Sequence, residues 1–267
     1  MIMSRPCERD VRPVATGGAT LRQGRGCREH VFLLAAAVDY GRGVRTYENP
    51  QRLLAIGLAS LAGFVDALGF LKLGGVFVSF MSGNSTRLAV AVSQRSRGGF
   101  YVAGLIAAFV IGVMAGAAIG MAAGRWRRQA VLGFVVLVLM AASLCGMFVD
   151  TMMAATGLMA IAMGAANAVL QRDGEIPVGV TYMTGALVKF AQQLVIALTG
   201  GPRYGWAPYL LLWLGLVGGA IAGGAAFPAL GLRALWIAVG FTTLLLCGTF
   251  AMGPLPTRTL DPGLSPS

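Results

Sequence analysis

Few side chains in this 267-residue sequence could do chemistry, and they are set among apolar residues. Asp66 stands inside an apolar run, ahead of the polar stretch Ser82-Gly83-Asn84 and of Arg87. An unpaired charge at the centre of a bilayer costs about 2.5 to 3.5 kcal/mol on insertion scales. Asp66 therefore predicts either an ion pair with Arg87 that joins two helices, or a proton- or ion-binding site.

A second set of polar residues repeats this pattern farther along the chain. Asn167 corresponds to Asp66, Thr184-Gly185 corresponds to Ser82-Gly83, and Lys189 corresponds to Arg87. Each polar stretch resembles the break in a discontinuous helix, where exposed backbone amides can face an anion. One interpretation is a kinked helix whose backbone groups are satisfied. The other is a polar substrate site at the interface between the two halves, formed by these residues: Asp66, Ser82, Gly83, Asn84, Arg87, Asn167, Thr184, Gly185 and Lys189.

Other kinds of catalytic chemistry have little support in the sequence. The four cysteines have neither a CxxC spacing nor a Cys/His ligand spacing, and the one histidine, His30, lies in the N-terminal region. Motifs such as GxSxG, HExxH and the phosphate-binding GxxxxGK are not present in a supporting context. We therefore expect no enzyme activity, no bound metal and no cofactor.

The composition assigns the chain to the membrane. Hydrophobic residues make up 57% of the sequence and charged residues only 12%, and the mean hydropathy is +0.75. Glycine, present 39 times, suits helices that pack closely in lipid. The net charge is +11; nine of the 21 Lys and Arg residues lie in residues 1–52, and most of the others lie in short segments between apolar runs. That pattern is typical of cytoplasmic loops beside anionic lipid, so we expect lipid contact and no nucleic-acid partner.

Matching segments divide the apolar region into two tandem repeats. Shifts of 101 to 102 positions place Met81-Ser82-Gly83 on Met183-Thr184-Gly185, Gly116-Ala117-Ala118-Ile119 on Gly218-Gly219-Ala220-Ile221, and Leu144-Cys145-Gly146 on Leu246-Cys247-Gly248. The sequence thus predicts a basic, disordered tail over residues 1–52, repeats over 53–150 and 151–252, and a short tail over 253–267. The fold class is all-α, a polytopic helical membrane protein.

The number of membrane spans depends on the two broken segments. If they are re-entrant, the chain has about six transmembrane helices and inverted repeats; if they cross, it has eight and the repeats are parallel. With a cytoplasmic N-terminus, six spans place the Arg125 to Arg128 cluster inside, together with Arg203. Eight spans place that cluster outside, so the distribution of basic residues favours six.

The motifs resemble those of a known family. Gly63-Phe64-Val65-Asp66-Ala67, followed by Met81-Ser82-Gly83-Asn84, is similar to the first signature of the YoaK-like bacterial membrane proteins, a family of unknown function. Ala166-Asn167-Ala168, followed by Tyr182-Met183-Thr184-Gly185, resembles the second signature. The resemblance covers about residues 53–252 and implies a multi-pass protein of the bacterial cytoplasmic (inner) membrane, with no established substrate.

Two functions remain open from the sequence. The duplicated unit, the broken segments and Asp66 favour a small-solute or ion transporter. The alternative is a non-transporting membrane scaffold or partner subunit, in which the polar residues serve helix packing. The sequence indicates neither the solute nor an oligomeric state.

Overall fold

The computed structural model describes residues 49–147, 152–170 and 183–255, and within them the chain forms α-helices and 3-10 turns without a β-strand. The predicted all-α class is thus confirmed. Most of the two predicted tails, residues 1–48 and 256–267, lies outside the described residues. The helices are α1 (Asn49–Lys72), α2 (Met81–Ser93), α3 (Gly98–Ala123), α4 (Arg127–Cys145), α5 (Met152–Ala166), α6 (Met183–Leu198), α7 (Ala207–Leu230) and α8 (Leu235–Ala251).

Helices α1 and α5 form the centre of the bundle. Leucines and valines at three- and four-residue spacing line α1 and are at most 2% exposed: Leu54, Leu58, Leu61, Val65 and Leu68. Helix α1 packs mainly against α7 and also against α8, whereas α5 packs against α3 and α4. Because each central helix is enclosed by helices from the other half of the chain, the two halves share one core.

Glycines set the contact between α1 and α7. A Cβ atom added at Gly219 would overlap the carbonyl oxygen of Ser60, and one at Gly223 would lie 2.5 Å from the carbonyl oxygen of Phe64. Only glycine permits this approach of two backbones. Contacts that advance together along both helices show that α1 and α7 are parallel.

The same arrangement joins α3 to α5. A Cβ atom at Gly112 would overlap the carbonyl oxygen of Ile161, and one at Gly116 would lie 2.9 Å from Ala165. Helices α3 and α5 are therefore parallel as well.

Two tight reversals and the remaining contacts fix the other helix directions. Helices α3 and α4 are joined through Gly124 (φ 52°), and α7 and α8 through Gly231 (φ 53°), each glycine starting a 3-10 turn. Leu245 of α8 reaches back to Gly57 near the start of α1. The indications that α8 runs antiparallel to α4 are the hydrogen bond from Gln129 Nε2 to the Thr249 carbonyl and the approach of Gly146 to Leu232.

It follows that the six helices α1, α3, α4, α5, α7 and α8 alternate in direction along the chain. Helix α1 is parallel to α4 and α7, and antiparallel to α3, α5 and α8. Helix α2 therefore connects two antiparallel helices, and α6 does the same between α5 and α7. By length and composition, three described stretches could cross a membrane, namely Pro50–Lys72, Gly98–Cys145 and Ala207–Ala251. The last two each contain two of the long helices, separated by the reversals at Gly124 and Gly231.

Part of the predicted sequence superposition is wrong in register. The structure gives Gly112 and Gly219 equivalent contacts, and Gly124 and Gly231 equivalent turns, at an offset of 107 in both cases (219 − 112 and 231 − 124). The predicted pairing of residues 116–119 with 218–221 used an offset of 102. Glycines that recur every fourth residue make neighbouring registers resemble each other, and the connection before α7 is longer than the one before α3.

Candidate functional site

The polar motif of the first half lies where the chain leaves α1 and enters α2. After Lys72 the backbone turns through Gly74 (φ 65°) and Gly75 (φ 104°) and reaches α2 at Met81. A Cβ atom at Gly75 would lie 2.6 Å from Nη2 of Arg87. The guanidinium group of Arg87 thus rests against the turn, and the positive φ favours glycine at position 75.

Asp66 holds the backbone of this connection. Its Oδ1 atom accepts hydrogen bonds from the N–H groups of Val78 (2.8 Å) and Ser79 (2.7 Å). Its Oδ2 atom accepts one from the Ser79 hydroxyl (2.5 Å). The predicted ion pair between Asp66 and Arg87 is not formed, because the carboxylate is engaged by these donors while the guanidinium lies over Gly75.

Asn84 of α2 holds the same connection from the other side, and we term the side chains of Asp66 and Asn84 the clamp. Its Oδ1 atom accepts a hydrogen bond from the Phe77 N–H (3.0 Å), and its Nδ2 group donates one to the Phe77 carbonyl (2.6 Å). The side chain is fully buried. One amide thereby satisfies both polar groups of a single residue, as a neighbouring β-strand would.

Asp66 and Asn84 together supply hydrogen-bond partners to a stretch of backbone that lies between the helices. Phe77, Val78 and Ser79 precede α2, and their N–H groups bond to the side chains of Asp66 and Asn84 instead of to helical carbonyls. In lipid each unsatisfied group would cost several kcal/mol, so non-helical backbone persists there only with such partners. Sequence reasoning did not include Ser79 among the site residues, although a hydroxyl in the broken stretch was the available signal.

Gly83 serves packing within the same region. A Cβ atom on it would lie 2.5 Å from the ring of Phe80 and 3.3 Å from that of Phe77. The rings of Phe77 and Phe80 are in edge contact, with centroids 5.2 Å apart. Gly83 therefore allows α2 to begin against this aromatic pair.

Four polar side chains in the first half of α2 are exposed, and we term them the α2 polar face: Ser82, Ser85, Thr86 and Arg87. The exposed surface of α2 also includes Val90 and Val92. Two of its hydroxyls donate to carbonyls of their own helix, Ser85 to Met81 (2.8 Å) and Thr86 to Ser82 (3.3 Å). Of the predicted site residues, Ser82 and Arg87 thus remain accessible, whereas Asp66 and Asn84 are used internally.

The second motif is described in part. Asn167 is buried just beyond α5 and donates from Nδ2 to the Met163 carbonyl (2.9 Å). In α6, Thr184 is exposed and Gly185 is buried. Lys189 Nζ lies 5.8 Å from the ring centroid of Tyr209 on α7, a cation–π contact. Residues 171–182, between the two parts, lie outside the described residues.

The predicted site residues fall into two groups. Helix α2 packs against α3, and α6 packs against α7, so each motif is attached to the long helix that follows it. Asp66 is the one acidic residue in the described ranges, and these ranges contain no cluster of three His, Cys, Asp or Glu side chains that could hold a metal ion. What the described residues offer is therefore hydroxyl groups and cations.

The fold and its apolar helices define an integral membrane protein. The chain belongs to the family described as protein of unknown function DUF1275, whose model matches residues 54–248. It is 36% identical over 197 residues to a UPF0700 transmembrane protein of Rhizobium meliloti (strain 1021), covering 74% of this chain and 85% of that relative. No solved structure matches the chain. The family predicted from the motifs is thereby confirmed.

Proposed function

We propose that the protein is a small-solute or ion transporter of the bacterial inner membrane rather than an enzyme. The observation that carries this proposal is the α2 polar face, held beside the membrane-crossing helices by the Asp66 and Asn84 clamp and left uncovered by the rest of the described chain. Polar side chains at membrane depth are stable where they line water or contact other protein, and not where they face lipid. A water-lined path along α2 satisfies that requirement.

The helix directions support a six-span arrangement for such a path. Helices α1, α3, α4, α5, α7 and α8 alternate in direction, and α2, at 13 residues, is only about 20 Å long. On this proposal α2 enters from the side where α1 ends, and α6 enters from the opposite side. The halves are then inverted repeats, an architecture common among secondary transporters, with polar segments approaching the middle of the membrane from both faces.

The basic residues support the orientation. The end of the bundle where α1 and α7 begin carries five arginines, Arg52, Arg125, Arg127, Arg128 and Arg203, and the opposite end carries four basic residues, Lys72, Arg95, Arg97 and Arg233. Residues 1–48, which precede α1 in the sequence, add eight arginines. By the positive-inside rule this end faces the cytoplasm.

The charge on the two short helices favours an anionic solute. Arg87 is the one charged residue of α2, and Lys189 is the one charged residue of α6. Asp66, the one acid in the described ranges, already receives three hydrogen bonds. A solute that meets Arg87 and the exposed hydroxyls would therefore encounter cations and donors, which suit a carboxylate or an inorganic oxyanion.

Cysteine accessibility tests whether α2 lines water. In a variant with the four native cysteines replaced by alanine, Thr86→Cys is expected to react in intact membranes with a membrane-impermeant methanethiosulfonate. Ile111→Cys is the matched control, because Ile111 is 56% exposed on the apolar surface of α3 and faces lipid in the proposed arrangement. If Thr86→Cys is as unreactive as the control, the water-lined path is wrong.

Solute binding then separates transport from the second candidate, a scaffold or partner subunit whose partner covers the α2 polar face. Purified protein is heated with acetate, succinate and inorganic phosphate, since a ligand at 100 times its Kd stabilises a protein by about 2.7 kcal/mol. Stabilisation that is lost in Arg87→Gln, followed by uptake of the same anion into proteoliposomes, supports transport. The scaffold is supported if Thr86→Cys reacts, none of the anions stabilises the protein, and the protein retains a partner in mild detergent.

A further inference from the structure

Polar groups hold α4 to α8 at the end of the bundle where α4 begins. Gln129, in the first turn of α4, is 6% exposed, and its Nε2 group donates to the carbonyls of Thr249 (2.9 Å) and Gly253 (3.4 Å) at the end of α8. The carbonyls in the last turn of a helix have no donor within that helix, so the Gln129 amide supplies one from outside. A single side chain of the first half thereby holds the last helix of the second half.

Two further contacts join the same elements. After α8 the chain turns at Gly253 (φ 71°), and the Leu255 N–H donates to the Arg125 carbonyl (3.0 Å) beside the α3–α4 turn. The ring centroids of Trp126 and Phe250 lie 6.3 Å apart, and both rings are about half exposed. These contacts lie at the basic end of the bundle, next to water, where water can replace a hydrogen bond that is lost.

The opposite end of the same helix pair is built differently. At the offset of 107 between the two halves, Gly253 corresponds to Gly146, and Gln129 corresponds to Trp236 (253 − 146 and 236 − 129). Gly146 packs closely on Leu232, because a Cβ atom added to the glycine would lie 3.3 Å from the Leu232 Cβ. Separating an apolar contact exposes apolar surface to water, which is unfavourable. Of the two ends, the one held by Gln129 therefore separates more easily.

The joined helix ends provide partners for only half of the Gln129 amide. Its Oε1 atom is buried and has no hydrogen-bond partner among the described residues. The bonds that Nε2 makes and the burial of an unpaired acceptor have opposite effects of similar size on the free energy. If the helix ends separate, Oε1 gains water as a donor and Nε2 exchanges carbonyls for water. The joined and separated arrangements are therefore close in free energy.

We propose that Gln129 is a latch between the end of α8 and the start of α4, and that these helix ends separate and rejoin, admitting water between the two halves of the chain. The contact of Gly146 with Leu232 is the hinge at the opposite end. The latch does not depend on the transport proposal, because none of its residues belongs to α2 or α6. In a transporter this opening would be the route to the cytoplasm, a consequence that rests on the proposed function.

The test is the rate at which a buried cysteine beside the latch reacts with a charged methanethiosulfonate. Thr249→Cys is introduced into the variant without native cysteines, because the Thr249 side chain is fully buried, and the full chain is labelled in detergent. Gln129→Leu removes the donor at nearly the same volume. It should raise the rate about tenfold, the factor that corresponds to one neutral hydrogen bond. Gln192→Leu, the same change at an exposed position of α6, is the control and should leave the rate unchanged.

Two more variants distinguish opening of the latch from loosening of the whole helix. Thr242→Cys, equally buried and about 10 Å farther from the end of α8, should stay unreactive in the Gln129→Leu protein. A disulfide between cysteines introduced as Arg125→Cys and Leu255→Cys, whose backbones are hydrogen-bonded, should return the Thr249→Cys rate to its original value. A Thr249→Cys rate that Gln129→Leu does not change, equal increases at both threonine positions, or a rate that the disulfide leaves high would overturn the proposal.

Discussion

Asp66 on α1 accepts hydrogen bonds from both the backbone N–H (2.7 Å) and the hydroxyl (2.5 Å) of Ser79, thirteen residues along the chain. A carboxylate that looked like a proton or ion site is thus the anchor of the connection between α1 and α2. Its position explains how a polar, non-helical segment can persist beside apolar helices. The exposed side chains of Ser82 and Arg87 on α2 are therefore better placed than Asp66 to contact a solute.

The first prediction concerns Asp66 itself. Asp66→Asn keeps an oxygen that can accept from the Val78 and Ser79 N–H groups, so stability should change by no more than about 1 kcal/mol. Asp66→Leu removes the acceptor and leaves two buried N–H groups without a partner, at about 1–3 kcal/mol each. Thermal unfolding in detergent measures the difference.

Asparagine at the corresponding position 167 indicates that the fold accepts an amide at such a place. The offset between Asp66 and Asn167 is 101, the same as that between Ser60 and Ile161 in the glycine contacts. If Asp66→Leu unfolds at the same temperature as Asp66→Asn, Asp66 does not hold the connection.

The second prediction tests the amide of Asn84. Asn84→Asp keeps the shape and an acceptor for the Phe77 N–H, but it removes the donor and places a carboxylate oxygen against the Phe77 carbonyl. We expect a loss of about 2–4 kcal/mol, since a buried acceptor is left unpaired and a charge is buried. Ser85→Ala is the control in the same helix, because its exposed hydroxyl bonds only to Met81; it should leave the unfolding temperature unchanged. Equal effects of the two changes would contradict the clamp.

Composition and motif sequence were enough to predict the membrane class and the family, because these depend on residue type. The predicted place of the breaks was wrong: Ser82-Gly83-Asn84 lies in the first turn of α2 and Thr184-Gly185 in the first turn of α6, and the non-helical segment ahead of α2 is residues 73–80. The partners of Asp66 were not predictable in the same way. Arg87 has the opposite charge and was the natural choice, yet backbone N–H groups of Val78 and Ser79 reach the carboxylate first. A sequence does not show which backbone N–H groups the fold will bring next to a side chain.

The sequence also does not determine how the glycines of α7 align with those of α3. Gly215, Gly219 and Gly223 repeat at the spacing of one helical turn, and so do Gly112 and Gly116. A shift of four or five residues therefore preserves most of the similarity, and only the carbonyl that each glycine faces distinguishes one register from another. Which carbonyl each glycine faces is known only from the three-dimensional structure.

The third prediction uses neighbouring glycines that differ only in what they face. Gly219→Ala should destabilise the protein strongly, by about 1–3 kcal/mol or more, because the new methyl group would overlap the Ser60 carbonyl and push α7 away from α1. Gly218→Ala has nothing within 4 Å of its Cβ and should be neutral. The yield of monodisperse protein and its unfolding temperature report the difference. A pair of variants with equal stability would mean that α1 and α7 do not meet at Gly219.

The fourth prediction concerns the sides of the membrane reached by two connections. The helix directions put Ser96, between α2 and α3, at the end of the bundle opposite to Gln129 at the start of α4. With a cytoplasmic N-terminus, six spans place Ser96 outside and the α3–α4 turn inside; eight spans reverse both. Single cysteines at Ser96 and Arg125, in the variant without native cysteines, are labelled with an impermeant maleimide on intact spheroplasts and again after lysis. We expect Ser96→Cys to react before lysis and Arg125→Cys only after it. The reverse order would overturn the cytoplasmic placement of the start of α1, and labelling of both cysteines on the same side would contradict the antiparallel directions of α1 and α3.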